Sequence, residues 1–89
     1  MESTTLSTTT LNEVMDFLNK VADTNEDTNF EPSEEYLVEA IKTLVREKQK
    51  TSITEDFDVP YIHPMITIQK WNKELRQIVA EVISERHRE

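Results

Sequence analysis

Not one of the 89 residues is a glycine, and none is a cysteine. Backbone that turns through positive φ, lies close against a phosphate or forms a nest of N–H groups ordinarily needs glycine. The phosphate loop of nucleotide-binding proteins, the dinucleotide fingerprint, the kinase glycine loop and the G-x-S-x-G nucleophile elbow are therefore all missing. Thiol nucleophiles, disulfides and Cys-ligated zinc go with the cysteines. What is left suits a small acidic protein made of helices and polar linkers.

Size and charge narrow the reading further. A chain this short buries roughly 60–65% of the surface it exposes when unfolded, enough for one modest core but not for a deep active site. No apolar run approaches the ~20 residues that span a bilayer, and no basic-then-apolar leader opens the chain, so cytoplasmic residence without a membrane is expected. The net charge of −8 is uneven: residues 1–40 carry ten acids against a single base, Lys20, whereas residues 41–50 carry four bases and one acid. An acidic flank argues against nonspecific nucleic-acid binding, which depends on a basic surface. It suits a basic protein partner.

Residues 1–9 read as a disordered Ser/Thr-rich leader, and residues 10–89 as a single helical domain. Thr10 and Glu13 have the spacing of a capping box. After them Leu11, Val14, Met15, Leu18, Val21 and Ala22 recur at helical spacing, predicting a first helix over 11–22. Ser33 as N-cap, followed by Glu34 and Glu35, predicts a second over 34–48, with Leu37, Ala40, Ile41, Leu44 and Val45 on one face. A third runs from Thr67, or from Pro64 as first residue, to Arg86, with Ile68, Trp71, Leu75, Ile78, Val79, Val82 and Ile83 as its stripe. Between the last two, residues 51–66 hold seven large apolar side chains among sixteen residues, interrupted by Pro60 and Pro64. These prolines predict extended chain, with at most a short turn near 53–57. The fold class is thus all-α, a small three-helix bundle with an extended, Pro-containing connection between helices 2 and 3.

The segment between the first two helices has the most specific spacing. Asp23, Asn25, Asp27, Asn29, Glu31 and Glu34 fall at positions 1, 3, 5, 7, 9 and 12 of a twelve-residue window, with Phe30 at position 8. The window resembles an EF-hand calcium loop, in which oxygen ligands alternate and a final Glu binds bidentately. The resemblance implies calcium as a ligand held by those six residues. Thr28 stands where that loop wants glycine, and Pro32 stiffens the exit. A solvated linker between helices gives the same composition. Asp56, Asp58 and His63 have no diagnostic metal spacing, and His87 sits among charges at the end of a helix. No acid interrupts an apolar helix face in a way that demands burial, so no carboxylate pair is marked for acid–base work.

Two interaction readings complete the list. Gln69, Lys70, Asn72, Lys73 and Arg76 on the polar side of the third helix are types that contact bases and phosphates in helix-turn-helix proteins, although the linker before that helix is too long for the usual turn. The 51–66 strip offers Phe57, Tyr61 and Ile62 as apolar anchors for a partner's pockets. With Glu26, Asp27 and Glu34 as the acidic flank, these residues make a non-enzymatic protein–protein interaction module the leading expectation. No catalytic residue or obligatory cofactor is expected, and the partner is another protein, basic in character. Self-association is expected if one chain does not cover Trp71, Val79, Val82 and Ile83.

Overall fold

In the computed structural model, which describes residues 5–23 and 31–87, every regular element is a helix. The order is α1 (Thr8–Ala22), a short 3-10 helix (Pro32–Glu34), α2 (Glu35–Glu47), α3 (Thr51–Phe57), α4 (Pro64–Lys70) and α5 (Asn72–His87). The three-helix bundle expected from the sequence is therefore a five-helix fold. None of the helices among the described residues is long and apolar enough to cross a membrane.

α1 is the central element. It runs antiparallel to α2, as the pairs Tyr36–Glu13 and Thr5–Glu47 show. It is antiparallel to α5 as well, through Arg86–Thr8 and Asn72–Leu18. Packed on both sides, α1 buries a broad stripe: Leu11, Val14 and Leu18 completely, Phe17 and Val21 nearly so. Each such side chain contributes about 1.5–3 kcal/mol by leaving water. Val79 and Val82 of α5 are fully buried within the same core, with Trp71 and Ile83 half-buried at its edge. The chain itself thus covers Val79 and Val82 fully, and Trp71 and Ile83 in part.

The helix starts differ from the expected ones in instructive ways. Ser7, not Thr10, caps α1: the Thr10 N–H donates to Ser7 Oγ at 3.1 Å. Leu6 packs against the core just before it. The helix thus begins inside the stretch that composition assigns to a leader, and residues 1–4 lie outside the described part. Ser33 does not cap α2 either, because Pro32 starts a 3-10 turn one step earlier. The Glu31 N–H there donates to Glu34 Oε1 at 2.9 Å.

Residues 51–66 depart most from expectation. Pro60 and Pro64 constrain only themselves and the residue before each, leaving 51–57 free to be helical. Ile53 and Phe57, one turn apart, are both buried, and that shared face holds α3 against the core. Pro64 then serves as first residue of α4, with the His63 ring capping it. The expected extended connection shrinks to residues 58–63. Trp71 also divides the third predicted helix. Its backbone (φ −102, ψ 18) departs from helical values, although Trp71 N–H still bonds Thr67 C=O and Leu75 N–H bonds Trp71 C=O.

The missing glycines are felt at one place. Among the described residues Gln49 has positive φ, 58°, just past the end of α2. Lys50 N–H bonds Val45 C=O at 2.9 Å and Gln49 N–H bonds Arg46 C=O at 3.1 Å, the paired bonds of a Schellman cap. A side chain in the left-handed region costs roughly 1–2 kcal/mol. Gln49→Gly is expected to raise stability by about 0.5–1 kcal/mol after its greater unfolded-state entropy is subtracted. Urea denaturation should show a higher midpoint at unchanged slope.

Candidate functional site

Residues 58–63 form a turn held at both ends. Ile62 N–H bonds Val59 C=O at 3.3 Å, closing a β-turn with Pro60 second and Tyr61 third. Proline at that position presets the turn's φ, so little ordering remains to be done. Tyr61 stands at the tip with 87% of its surface exposed. On the far side His63 Nδ1 accepts the Met65 N–H at 3.1 Å and locks the start of α4. On the near side Asp58 meets Arg46 of α2 at 3.3 Å.

Asp56 braces this turn from below. Its Oδ2 accepts the Trp71 indole N–H at 2.6 Å and the Lys70 ammonium at 2.9 Å. Lys70 Nζ also lies 5.4 Å from the centre of the Trp71 ring, within cation–π range. One carboxylate on α3 thereby ties down the α4–α5 junction, and residues 58–63 hang between the two tied points. The indole hydrogen bond first, and the Lys70 bond second, hold the Asp56 carboxyl below its ordinary value of 3.8, against partial desolvation. Glu34 is held below 4.5 chiefly by its hydrogen bond from Lys20, at 2.9 Å, with the Glu31 N–H assisting.

Both shifts have the same consequence for stability. A carboxyl with a depressed folded value contributes stability that is fully present above its ordinary value and is lost as pH falls through the folded one. The melting temperature is expected to be insensitive to these two groups above 4.5 and to drop below 3.8. Asp56→Asn should remove part of that acid drop and Glu34→Gln another part, as calorimetry across the range would record. At the alkaline end Lys20 and Tyr36 are shifted up by their bonds to Glu34 and Glu13. Their contributions are present below the ordinary values and are lost as pH rises through the folded ones.

The expected site residues separate into distinct environments. Tyr61 is the exposed anchor, Ile62 is half-buried beside it, and Phe57 is a core residue that faces the helices instead of a partner. Glu34 is engaged by Lys20 and Glu31, and Glu26 and Asp27 lie outside the described residues. Of the calcium positions, Asn25, Asp27 and Asn29 also lie outside them. Asp23, Glu31 and Glu34 are described, and among the described residues no three His, Asp or Glu side chains converge on a common point. Of the set suited to nucleic acid, Asn72 is buried against the Leu18 carbonyl and Lys70 is held by Asp56. Ile66, an apolar residue outside the expected anchor set, is 45% exposed on α4 between buried Met65 and Thr67. The stripe gave that signal: counting back from Ile68, Trp71 and Leu75 by three or four reaches Pro64 and Met65, never Ile66.

What the site can do chemically is present an aromatic ring with a hydroxyl on a held turn that opens with the acid Asp58, just past the end of α3. No family model, curated protein or solved structure matches the chain.

Proposed function

We propose that the protein is a non-enzymatic protein–protein interaction module that docks Tyr61 into a pocket of a basic partner. The observation that carries this reading is the 87% exposure of Tyr61 on a turn pinned by Asp58–Arg46, the His63 cap and the Asp56–Trp71 brace. An exposed large aromatic held in one geometry loses little entropy on binding, and such residues dominate interface energetics. Ile62 and Ile66 extend the apolar contact. The net charge of −8 speeds encounter with a basic protein and makes that encounter salt-sensitive.

Affinity capture from the source cell, run in parallel with the native chain and Tyr61→Ala, tests the reading. Capture of a specific protein by the native chain is expected to fall at least tenfold in the variant, with melting temperature unchanged because the ring contributes little to folding. Equal capture by both would remove Tyr61 from the interface and the reading with it.

A further inference from the structure

α5 packs on α1 and meets α4 at its start, while α3 packs on α2 and α4. Between α3 and α5 this arrangement leaves a groove of about 480 Å³. Its floor is apolar. Ile53 and Ile78, with only 4% and 5% of their surface exposed, reach it from the core, and the half-buried Trp71 ring joins them. The α5 wall is Glu74, Gln77 and Glu81, all exposed and in one row at i, i+3 and i+7. Residues 49–52 form the opposite wall, where Lys50 is the only charged residue.

The row decides what the groove fits. Glu74 and Glu81 stand about two turns apart, roughly 10 Å along the helix axis. Neither makes an ion pair among the described residues, whereas Glu85, one turn further on, is bonded to Lys48. A helix laid beside α5 repeats its spacing. Cations at i and i+7 then meet the two carboxylates, and apolar residues at i+3 and i+4 cover Ile78 and the Trp71 ring. An extended strand, rising about 3.3 Å per residue, crosses the same distance in about three residues, which puts the two cations on opposite faces. A second copy of this chain does not supply the pattern either. No two of its ten Lys and Arg residues lie seven apart.

We propose that the α3–α5 groove seats a basic amphipathic helix of a partner protein, with Lys or Arg seven residues apart and apolar side chains between them. The floor provides the apolar contact, and the two free carboxylates fix the register. Lys50 on the far wall sets the orientation, because a cation of the incoming helix is repelled there and drawn to the α5 side. The groove is separate from the Tyr61 turn, and neither proposal rests on the other.

Trp71 is the single tryptophan of the chain and lines the groove, so its fluorescence reports occupancy. The probe is a synthetic helical peptide of roughly four turns, stapled on its outer face because short free helices are marginal in water. It carries lysines at i and i+7 and leucines at i+3 and i+4, with no aromatic residue. Titrated into the full chain, it is expected to change Trp71 emission to saturation. The same peptide with glutamates for lysines, or with the second lysine moved to i+5, should bind about tenfold more weakly or worse. Glu74→Lys and Glu81→Lys should each raise the Kd by about tenfold, Lys50→Glu should lower it, and Tyr61→Ala should leave it unchanged. All four positions are exposed, so these variants are expected to fold. Emission that never saturates, equal binding of the glutamate peptide, or an unchanged Kd in both Glu variants would each overturn the proposal. So would a weaker Kd in Tyr61→Ala, which would place the peptide on the turn. Concentration-dependent sedimentation of the chain alone, abolished by filling the groove with Ser52→Phe, would assign the groove to a second copy and overturn it too.

Discussion

Leu18→Ala is expected to lower folding stability by about 3 kcal/mol, within the roughly 2–5 kcal/mol range of buried leucine truncations. Leu18 is completely buried in the helix that lies between α2 and α5. With neighbours on both sides, the space left by the lost carbons cannot close by movement of a single helix, so the cavity cost persists. The Leu18 carbonyl also accepts from Asn72, which fixes the backbone at that point and limits relaxation further. At about 0.05–0.15 kcal/mol per residue the whole fold is stable by roughly 4–13 kcal/mol, so one substitution removes a large share. Urea unfolding should show a much lower midpoint, and the melting temperature should fall by roughly 12–24 °C. Asn19→Ala, next along the helix but exposed, should change stability by less than about 0.5 kcal/mol. Similar losses at both positions would mean that α1 is not the central helix.

Trp71→Ala should be nearly as damaging, at about 3 kcal/mol, the low end for tryptophan truncation because the ring is half-buried. Its particular effect is local. Without the indole, Asp56 loses its 2.6 Å bond and the 58–63 turn loses the brace beneath it. Limited proteolysis with chymotrypsin is expected to cleave after Tyr61 in Trp71→Ala well before the native chain is cut. Trp71→Phe separates the two roles by keeping most of the packing while deleting the N–H donor. That variant should be destabilised less, and its Asp56 carboxyl should titrate closer to 3.8, since the strongest influence holding it down is gone. If Trp71→Phe leaves the Asp56 titration where it was, the brace is not what positions the turn.

Much of the helical content could be read in advance, and particular residues show why. The stripes Leu11–Val14–Leu18–Val21 and Leu75–Ile78–Val79–Val82 are long enough for helical periodicity to stand out, and all eight residues are buried. Thr51–Phe57 is too short for that signal, since seven residues hold only the pair Ile53 and Phe57. Its neighbouring prolines are the stronger local signal, although they constrain only themselves and the residue before each. The Asp56–Trp71 contact spans fifteen residues and follows no local pattern. Nor does anything local mark Asn72 as buried: on a helix of mixed polarity an asparagine looks like one more surface residue.

Composition and periodicity alone made this an acidic, helical chain without thiol chemistry, because backbone preference and the spacing of apolar side chains are properties of the sequence itself. Which of Phe57, Tyr61, Ile62 and Ile66 would face inward was settled only once α1 had gathered its neighbours. All four are apolar or aromatic and close together, and burial depends on what stands opposite each one in space. The same holds for Lys70, Lys73 and Arg76. Their charges are written in the chain, but only the tertiary structure pairs Lys70 with Asp56 and leaves Lys73 and Arg76 without an ion pair among the described residues.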